Sequence, residues 1–283
     1  MYDLSDINTI KSILKKNGFS FSKALGQNFI IDPEVCPMMA EAAIPDAGFG
    51  VLEIGPGIGV LTAQLAQRAE RVVAVELDDR LPPILSETLK DFDNVKIVSG
   101  DVLKLDLKEL IETEFPGMKV VICANLPYYI TSPVVMKLLE ENLPVEAIVV
   151  MVQKEAADRL CAEVGTRDAG AVTVAVNYYA QAEKLFFVGR DSFLPAPKVD
   201  SEVIRLSLRA DREGDIGDEA KFFTMVKTAF TKRRKTIMNS LCFGPASKET
   251  LGAALDDLGI PRTARIEELT MKNLTDIYNR IFA

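Results

Sequence analysis

The chain has 283 residues, 48% of them hydrophobic and 26% charged, and a formal net charge of −8. That is a globular composition, far from the disordered regime. It holds no histidine and no tryptophan, which excludes Ser-His-Asp and Cys-His nucleophilic machinery, imidazole general-base chemistry and every histidine metal ligand.

The first residues, MYDLSDINTIKSILKK, carry acids early and lack an apolar stretch followed by a cleavage site, so no leader peptide is expected. Farther on, Asp32 and Pro33 suit a helix N-cap and first helical position. Apolar runs then recur at the spacing of an alternating α/β chain. Residues 51–54, 72–76, 95–98, 119–124, 147–152, 184–188 and 203–208 predict seven strands, most of them rich in Val and Ile. Helix-period stretches lie between them at 59–69, 80–90, 104–113, 133–142, 154–162 and 169–180. Strands buried on both faces and separated by crossover helices imply a doubly wound, Rossmann-like, mostly parallel sheet. The loop SFLPAPKVDS is too short for a helical crossover, so residues 184–188 and 203–208 should pair as an antiparallel hairpin at the far end of that sheet.

After Arg209 the polar stretch ADREGDIGDEA reads as a linker, and helices follow at 219–232, 235–241, 248–258 and 266–281. The expected organisation is an α/β domain over residues 1–210 and a small all-helical domain over 211–283. The acid surplus lies in residues 1–189, and residues 190–283 are slightly basic. No run approaches the length of a membrane span. Cys36, Cys123, Cys161 and Cys242 are far apart with no Cys-x-x-Cys pair, so neither a metal site nor a disulfide framework is expected, and a reducing, cytoplasmic setting fits them.

The first strand of the series runs into Gly55-Pro56-Gly57-Ile58-Gly59. Glycines there let the chain turn sharply and approach a ligand, with free N–H groups at the following helix start. A tight turn with no ligand would look the same, but the spacing is Gly-x-Gly-x-Gly and an acid, Glu76, ends the next strand, where a carboxylate can accept ribose hydroxyls. The third strand leads into Ser99-Gly100-Asp101. Asp101 can accept the amine of an adenine or cap a helix from Val102 onward. Two acids and a glycine turn describe a nucleoside held without a pyrophosphate, which suits S-adenosylmethionine better than NAD.

The fourth strand ends in Asn125-Leu126-Pro127-Tyr128. This tetrapeptide is similar to the catalytic motif of methyltransferases that alkylate exocyclic adenine amines. Taken with Gly26-Gln27-Asn28-Phe29, residues 51–59, Gly100-Asp101 and residues 193–201, it makes the chain resemble the rRNA adenine N6-dimethyltransferase family, in its bacterial small-subunit branch. The similarity runs from about residue 20 to the C-terminus.

The resemblance implies a catalytic set of Asn125, Leu126, Pro127, Tyr128 and Phe193, with Phe193 the second aromatic face around a flipped adenine; a core Phe anchoring a hairpin loop is the alternative. It implies cofactor contacts from Asn28, Ile30, Gly55, Gly57, Glu76, Asp101 and Asn125, with residues 1–32 folding over the cofactor. The family commonly has a longer proline run where this chain has Ala196 between Pro195 and Pro197. The implied reaction moves methyl groups from S-adenosyl-L-methionine, leaving S-adenosyl-L-homocysteine, to N6 of two adjacent adenosines near the 3′ end of 16S rRNA in the small subunit. A monomer acting without metal or membrane is expected. Lys232, Arg233, Arg234 and Lys235 form the densest basic run. Such a run is often only a solvated face, but in an otherwise acidic chain it suits phosphate contacts, extended by Lys11, Lys15, Lys16 and Lys23. A large-subunit rRNA methyltransferase and a non-catalytic rRNA-binding assembly factor are the competing readings.

Overall fold

The computed structural model describes residues 2–22, 25–212 and 216–283; Lys23 of the basic track lies outside them. Packing divides the chain into two units, Met1–Ala157 with Ala182–Leu208, and Asp158–Gln181 with Arg209–Ala283.

In chain order the elements begin with α1 (Ile7–Lys16), β1 (Phe29–Ile30), α2 (Val35–Ala43), β2 (Phe49–Ile54), α3 (Val60–Ala66), β3 (Arg71–Glu76), α4 (Pro82–Thr88) and β4 (Val95–Ser99). They continue with α5 (Leu107–Glu114), β5 (Lys119–Asn125), α6 (Thr131–Glu140), β6 (Ala147–Gln153), α7 (Lys154–Leu160), α8 (Ala171–Tyr179), β7 (Ala180–Val188), β8 (Phe193–Leu194) and β9 (Ser201–Leu208). The expected α/β architecture is present. A seven-stranded sheet has the order β4-β3-β2-β5-β6-β9-β7. Its β4, β3, β2, β5 and β6 run parallel and β9 runs antiparallel to β6. The two strands expected to form the terminal hairpin are neighbours, with β9 inside and β7 at the edge.

Every residue of β2 is buried, as are five of the seven in β5, because helices cover both faces. One cluster packs Met39, Leu65, Val51, Val121 and Val149 together; another joins Ile10, Ile13 and Leu14 of α1 to Leu81, Ile84 and Leu85. The chain goes outward from β2 to β3 and β4, then returns to the other side of β2 as β5. This reversal opens a crevice beyond the carboxyl ends of β2 and β5, the usual ligand position in such sheets.

Several details depart from the expectations. Asp32 is not the helix cap: it accepts from Glu34 N at 3.1 Å and from Ser192 Oγ at 2.9 Å, while α2 starts at Val35 with Glu34 as its N-cap. Within the Pro-rich loop, β8 pairs with β1 in a separate two-stranded sheet, Ile30 opposite Phe193. Residues 158–181, read from the sequence as part of the first domain, pack in the second unit. The cause is side-chain chemistry on α8: Tyr178 and Tyr179 donate to the two oxygens of Glu219 at 3.0 and 2.9 Å, and the Tyr179 ring stacks on Phe223 at 5.4 Å.

In that second unit lie α9 (Glu219–Thr231), α10 (Ile237–Ser240), α11 (Lys248–Asp257) and α12 (Met271–Ile281). The stretch expected as one helix over 266–281 divides into a 3-10 turn, Ile266–Glu268, and α12. Thr270 forces the break by capping α12, its hydroxyl accepting from Asn273 N at 3.2 Å.

Candidate active site

All eleven residues expected at the cofactor and catalytic positions (Asn28, Ile30, Gly55, Gly57, Glu76, Asp101, Asn125, Leu126, Pro127, Tyr128 and Phe193) line one cavity of about 1080 Å³, counting its open mouth. It occupies the crevice at the reversal of strand order, within the first unit.

The floor is the glycine turn after β2. Gly55, Gly57 and Gly59 have φ of 70°, 61° and 92°, a left-handed conformation that side chains resist. A Cβ at Gly55 would meet nothing within 4 Å, so that face is open to a ligand. One at Gly57 would stand 3.1 Å from the Phe29 ring, which lies over the turn.

Glu76 ends β3 and reaches back to this floor. Its carboxylate accepts from Gly57 N at 3.3 Å and from Asp78 N at 2.7 Å. Burial raises its pKa, and the backbone donors oppose that rise. The carboxylate is thus fixed in place with lone pairs left for a ligand's hydroxyls. At the end of β4, Asp101 accepts from Leu103 N at 3.0 Å and pairs with Lys104 at 3.3 Å. It caps a turn rather than a helix, since α5 starts at Leu107 with Asp106 as its cap.

β5 delivers the tetrapeptide. Leu126 N donates to Met151 O at 3.2 Å, tying the strand tip to β6. Asn125 Nδ2 donates to Asn28 O at 3.4 Å, and the amide oxygen accepts no hydrogen bond among the described residues. The Pro127 carbonyl is engaged by Ile130 N at 3.1 Å and Thr131 Oγ1 at 3.4 Å. Tyr128 is half-buried, its hydroxyl 2.8 Å from Ser201 Oγ, and burial raises its pKa.

Phe193 is 3% exposed and belongs to the core cluster that includes Ile30 and Val35, so it anchors the loop and walls the cavity at once. Asn28 donates through Nδ2 to Gly26 O at 3.0 Å.

Two cavity-lining residues escape the sequence reading. Glu53, in the middle of β2, is 1% exposed, its Oε2 has no hydrogen-bond partner, and burial pushes its pKa up to about 8. An acid inside an apolar strand was a visible signal. Gln27 donates to Asp78 Oδ2 at 2.7 Å and accepts from Ser22 N at 2.9 Å, fastening the N-terminal segment beside the end of β3. Arg80 holds the Asp78 carboxyl down at about 2.

The basic run lies in the second unit, directly after α9. Lys232, Arg234 and Lys235 are exposed, whereas Arg233 is half-buried and donates to Arg167 O at 2.7 Å. Lys11, Lys15 and Lys16 are on the exposed side of α1, and Lys16 pairs with Glu87 at 2.6 Å. Among the described residues no cluster of three or more His, Cys, Asp or Glu side chains could hold a metal ion, and no helix is long and apolar enough to cross a membrane.

Residues 18–282 match the model of the ribosomal RNA adenine dimethylase family. The ribosomal RNA small subunit methyltransferase A of Geobacillus thermodenitrificans is 47% identical over 99% of this chain and 97% of its own length. That of Bacillus cytotoxicus is 46% identical over 99% and 98%. Among solved structures, a dimethyladenosine transferase from Plasmodium falciparum superposes with a TM-score of 0.71 at 24% identity, over 89% of this chain and 97% of that one. The 23S rRNA methyltransferase ErmE superposes with a TM-score of 0.67 at 30% identity, over 90% and 100%.

Proposed function

The chain belongs to the ribosomal RNA adenine dimethylase family, and from that premise we propose that it methylates adenine N6 in 16S rRNA with S-adenosyl-L-methionine as donor. Its targets are two adjacent adenosines near the 3′ end of the small-subunit RNA, each dimethylated. The observation that carries this reading is the meeting of the glycine turn, two carboxylates and the Asn125–Tyr128 tetrapeptide in one crevice.

The residues present fit the cofactor. The open face of Gly55 accommodates the middle of a nucleoside, Glu76 offers acceptors to ribose hydroxyls, and Asp101 offers one to an adenine amine. Asn28 and the Ile30 backbone serve the methionine end. When bound, the cofactor supplies a methyl group on a sulfonium, already an excellent leaving group. The protein's task is therefore to position and polarise the acceptor.

The adenine N6 lone pair is delocalised into the ring and attacks poorly. The Asn125 amide oxygen and the Leu126 carbonyl accept hydrogen bonds from its N–H groups, favouring a pyramidal nitrogen and stabilising the positive charge that develops on it. Pro127 has no N–H to donate, and its own carbonyl is held by the following turn, so the Leu126 carbonyl direction is set by backbone alone. Tyr128 stacks on the flipped base, with Phe193 as the opposite apolar wall. The proton released from N6 needs only water, so a chain without histidine suffices.

The second unit, Asp158–Gln181 with Arg209–Ala283, grips the RNA, and Lys232–Lys235 contact phosphates; the protein acts as a cytoplasmic monomer. The likeness to ErmE favours a second reading, methylation of large-subunit RNA. Unmodified small and large subunits, incubated separately with labelled cofactor and then mapped, separate the two. Label on adjacent adenosines near the 3′ end of 16S rRNA is expected; label confined to 23S rRNA overturns the small-subunit reading, and no label in either overturns both.

A further inference from the structure

We propose that Tyr129 is a stacking platform for the RNA base that neighbours the target adenine, an inference that rests on the function proposed above. Its neighbours in the tetrapeptide are occupied: Leu126 is buried, and the Tyr128 hydroxyl is bonded to Ser201. Tyr129 lines the same cavity yet is 54% exposed, whereas Leu126 is buried and Tyr128 half-buried.

The ring's position is not left to chance. Tyr128 and Tyr129 share the 3-10 turn Tyr128–Ile130, closed by Ile130 N donating to Pro127 O at 3.1 Å. With three residues per turn, successive side chains in such a turn point about 120° apart, so both rings cannot face the same base. The Tyr129 ring leans on the backbone of Gly26: a methyl built there would stand 3.3 Å from it, and Gly26 holds a left-handed φ of 59°. Glycine at position 26 thus makes room for the ring beside it, while the residue stays open to solvent. A braced aromatic loses little freedom when a ligand stacks on it.

RNA supplies the matching chemistry. Turning one adenosine into the cavity strips a stacking neighbour from the base beside it. Single-stranded bases recover that contact on aromatic side chains, whatever their sequence. With two adjacent targets, the base left at the mouth is itself an adenosine in one of the two transfers, a purine with a larger stacking face than a pyrimidine. Tyr129 therefore stacks on the base that flanks the flipped adenosine on its side of the mouth, and for one of the two transfers that base is the other target.

The full-length chain with unmodified small subunits tests this, comparing Tyr129→Phe, Tyr129→Leu and Tyr129→Ala. Stacking needs a ring and no hydroxyl, so the Phe variant should match the wild type. The Leu and Ala variants should raise KM for the subunit about tenfold or more, with cofactor affinity by calorimetry unchanged. A KM for the subunit in the Leu variant equal to the wild type's would overturn the proposal, because Leu keeps bulk without a π-face. So would a loss of cofactor affinity in the Ala variant, which would assign the ring to the cofactor's cover. If the wild type itself labels no small subunit, the broader reading fails; wild-type labelling with an indifferent Leu variant removes Tyr129 alone.

Discussion

Replacing Asn125 by alanine removes the one side-chain acceptor at the tip of β5 while leaving the glycine turn and both carboxylates in place. Transfer should fall by at least a hundredfold, the usual cost of one such polarising contact, with cofactor affinity within a few-fold. Near-normal turnover would remove Asn125 from the chemistry. Glu76→Ala reports on the other half of the cavity. It should weaken cofactor binding by about 1–3 kcal/mol, the worth of hydrogen bonds to a charged group, and an unchanged dissociation constant would place the ribose elsewhere. Glu53 makes a prediction about stability. Burial raises its pKa from 4.5 to about 8, so the folded chain keeps a proton that the unfolded chain releases. Stability contributed by this group is therefore present below pH 4.5, falls as pH rises toward 8 and then levels off. Glu53→Gln, which cannot ionise, should flatten that fall and make the ligand-free protein more stable at pH 9 by a few kcal/mol. Urea melts of both proteins at pH 5 and 9 measure it, and parallel profiles would show Glu53 ionised and solvated. That the Asn125–Tyr128 tetrapeptide and the glycine turn line one cavity could be expected from the sequence, because each is contiguous and distinctive in residue type. Glu53 left a signal, an acid in an apolar strand, but its setting and that of Gln27 could not be read: the cavity beside one and Asp78 beside the other exist only after folding.

Among the elements, the strands were the plainest. Runs of Val and Ile buried on both faces announce a parallel sheet, and β2, β3, β5 and β6 lie where those runs are. The helix α1 was overlooked although Ile10, Ile13 and Leu14 follow helical spacing and are buried; its polar residues mask so short a stripe. β1 and β8, two residues each, carry no periodicity at all, and only their mutual pairing defines them. The reading of β2 began at Val51, whereas the strand takes in Phe49 and Gly50. Gly50 explains both the misreading and a constraint. Glycine usually weakens a strand, but a Cβ at this position would fall 2.3 Å from the Phe115 ring at the end of α5. The small residue is what lets that ring close over β2. Gly50→Ala must displace Phe115, an overpacking that should cost about 1–3 kcal/mol. Thermal denaturation would register it as a fall of several degrees; an unchanged midpoint would mean the ring moves aside freely.

For the molecule as a whole, the charge distribution decides how RNA can be held. A chain of net charge −8 is repelled by a polyanion at long range, so affinity must come from local cations in contact with phosphates. The basic run after α9 offers four, but they are not equivalent. Arg233 donates to Arg167 O and helps hold the second unit together, whereas Arg234 is exposed. Neutralising Arg233 therefore mixes a folding effect with an electrostatic one, and Arg234→Gln is the cleaner probe. Each lost phosphate contact lowers the slope of log affinity against log salt by about 0.7–0.9, independent of sequence. Arg234→Gln combined with Lys235→Gln should flatten the slope for small-subunit binding by about 1.4–1.8, while cofactor affinity stays constant. Weaker binding with an unaltered slope would point to lost packing instead of lost ion release. An unaltered slope with unaltered affinity would place the RNA on another face, leaving this run as solvated charge.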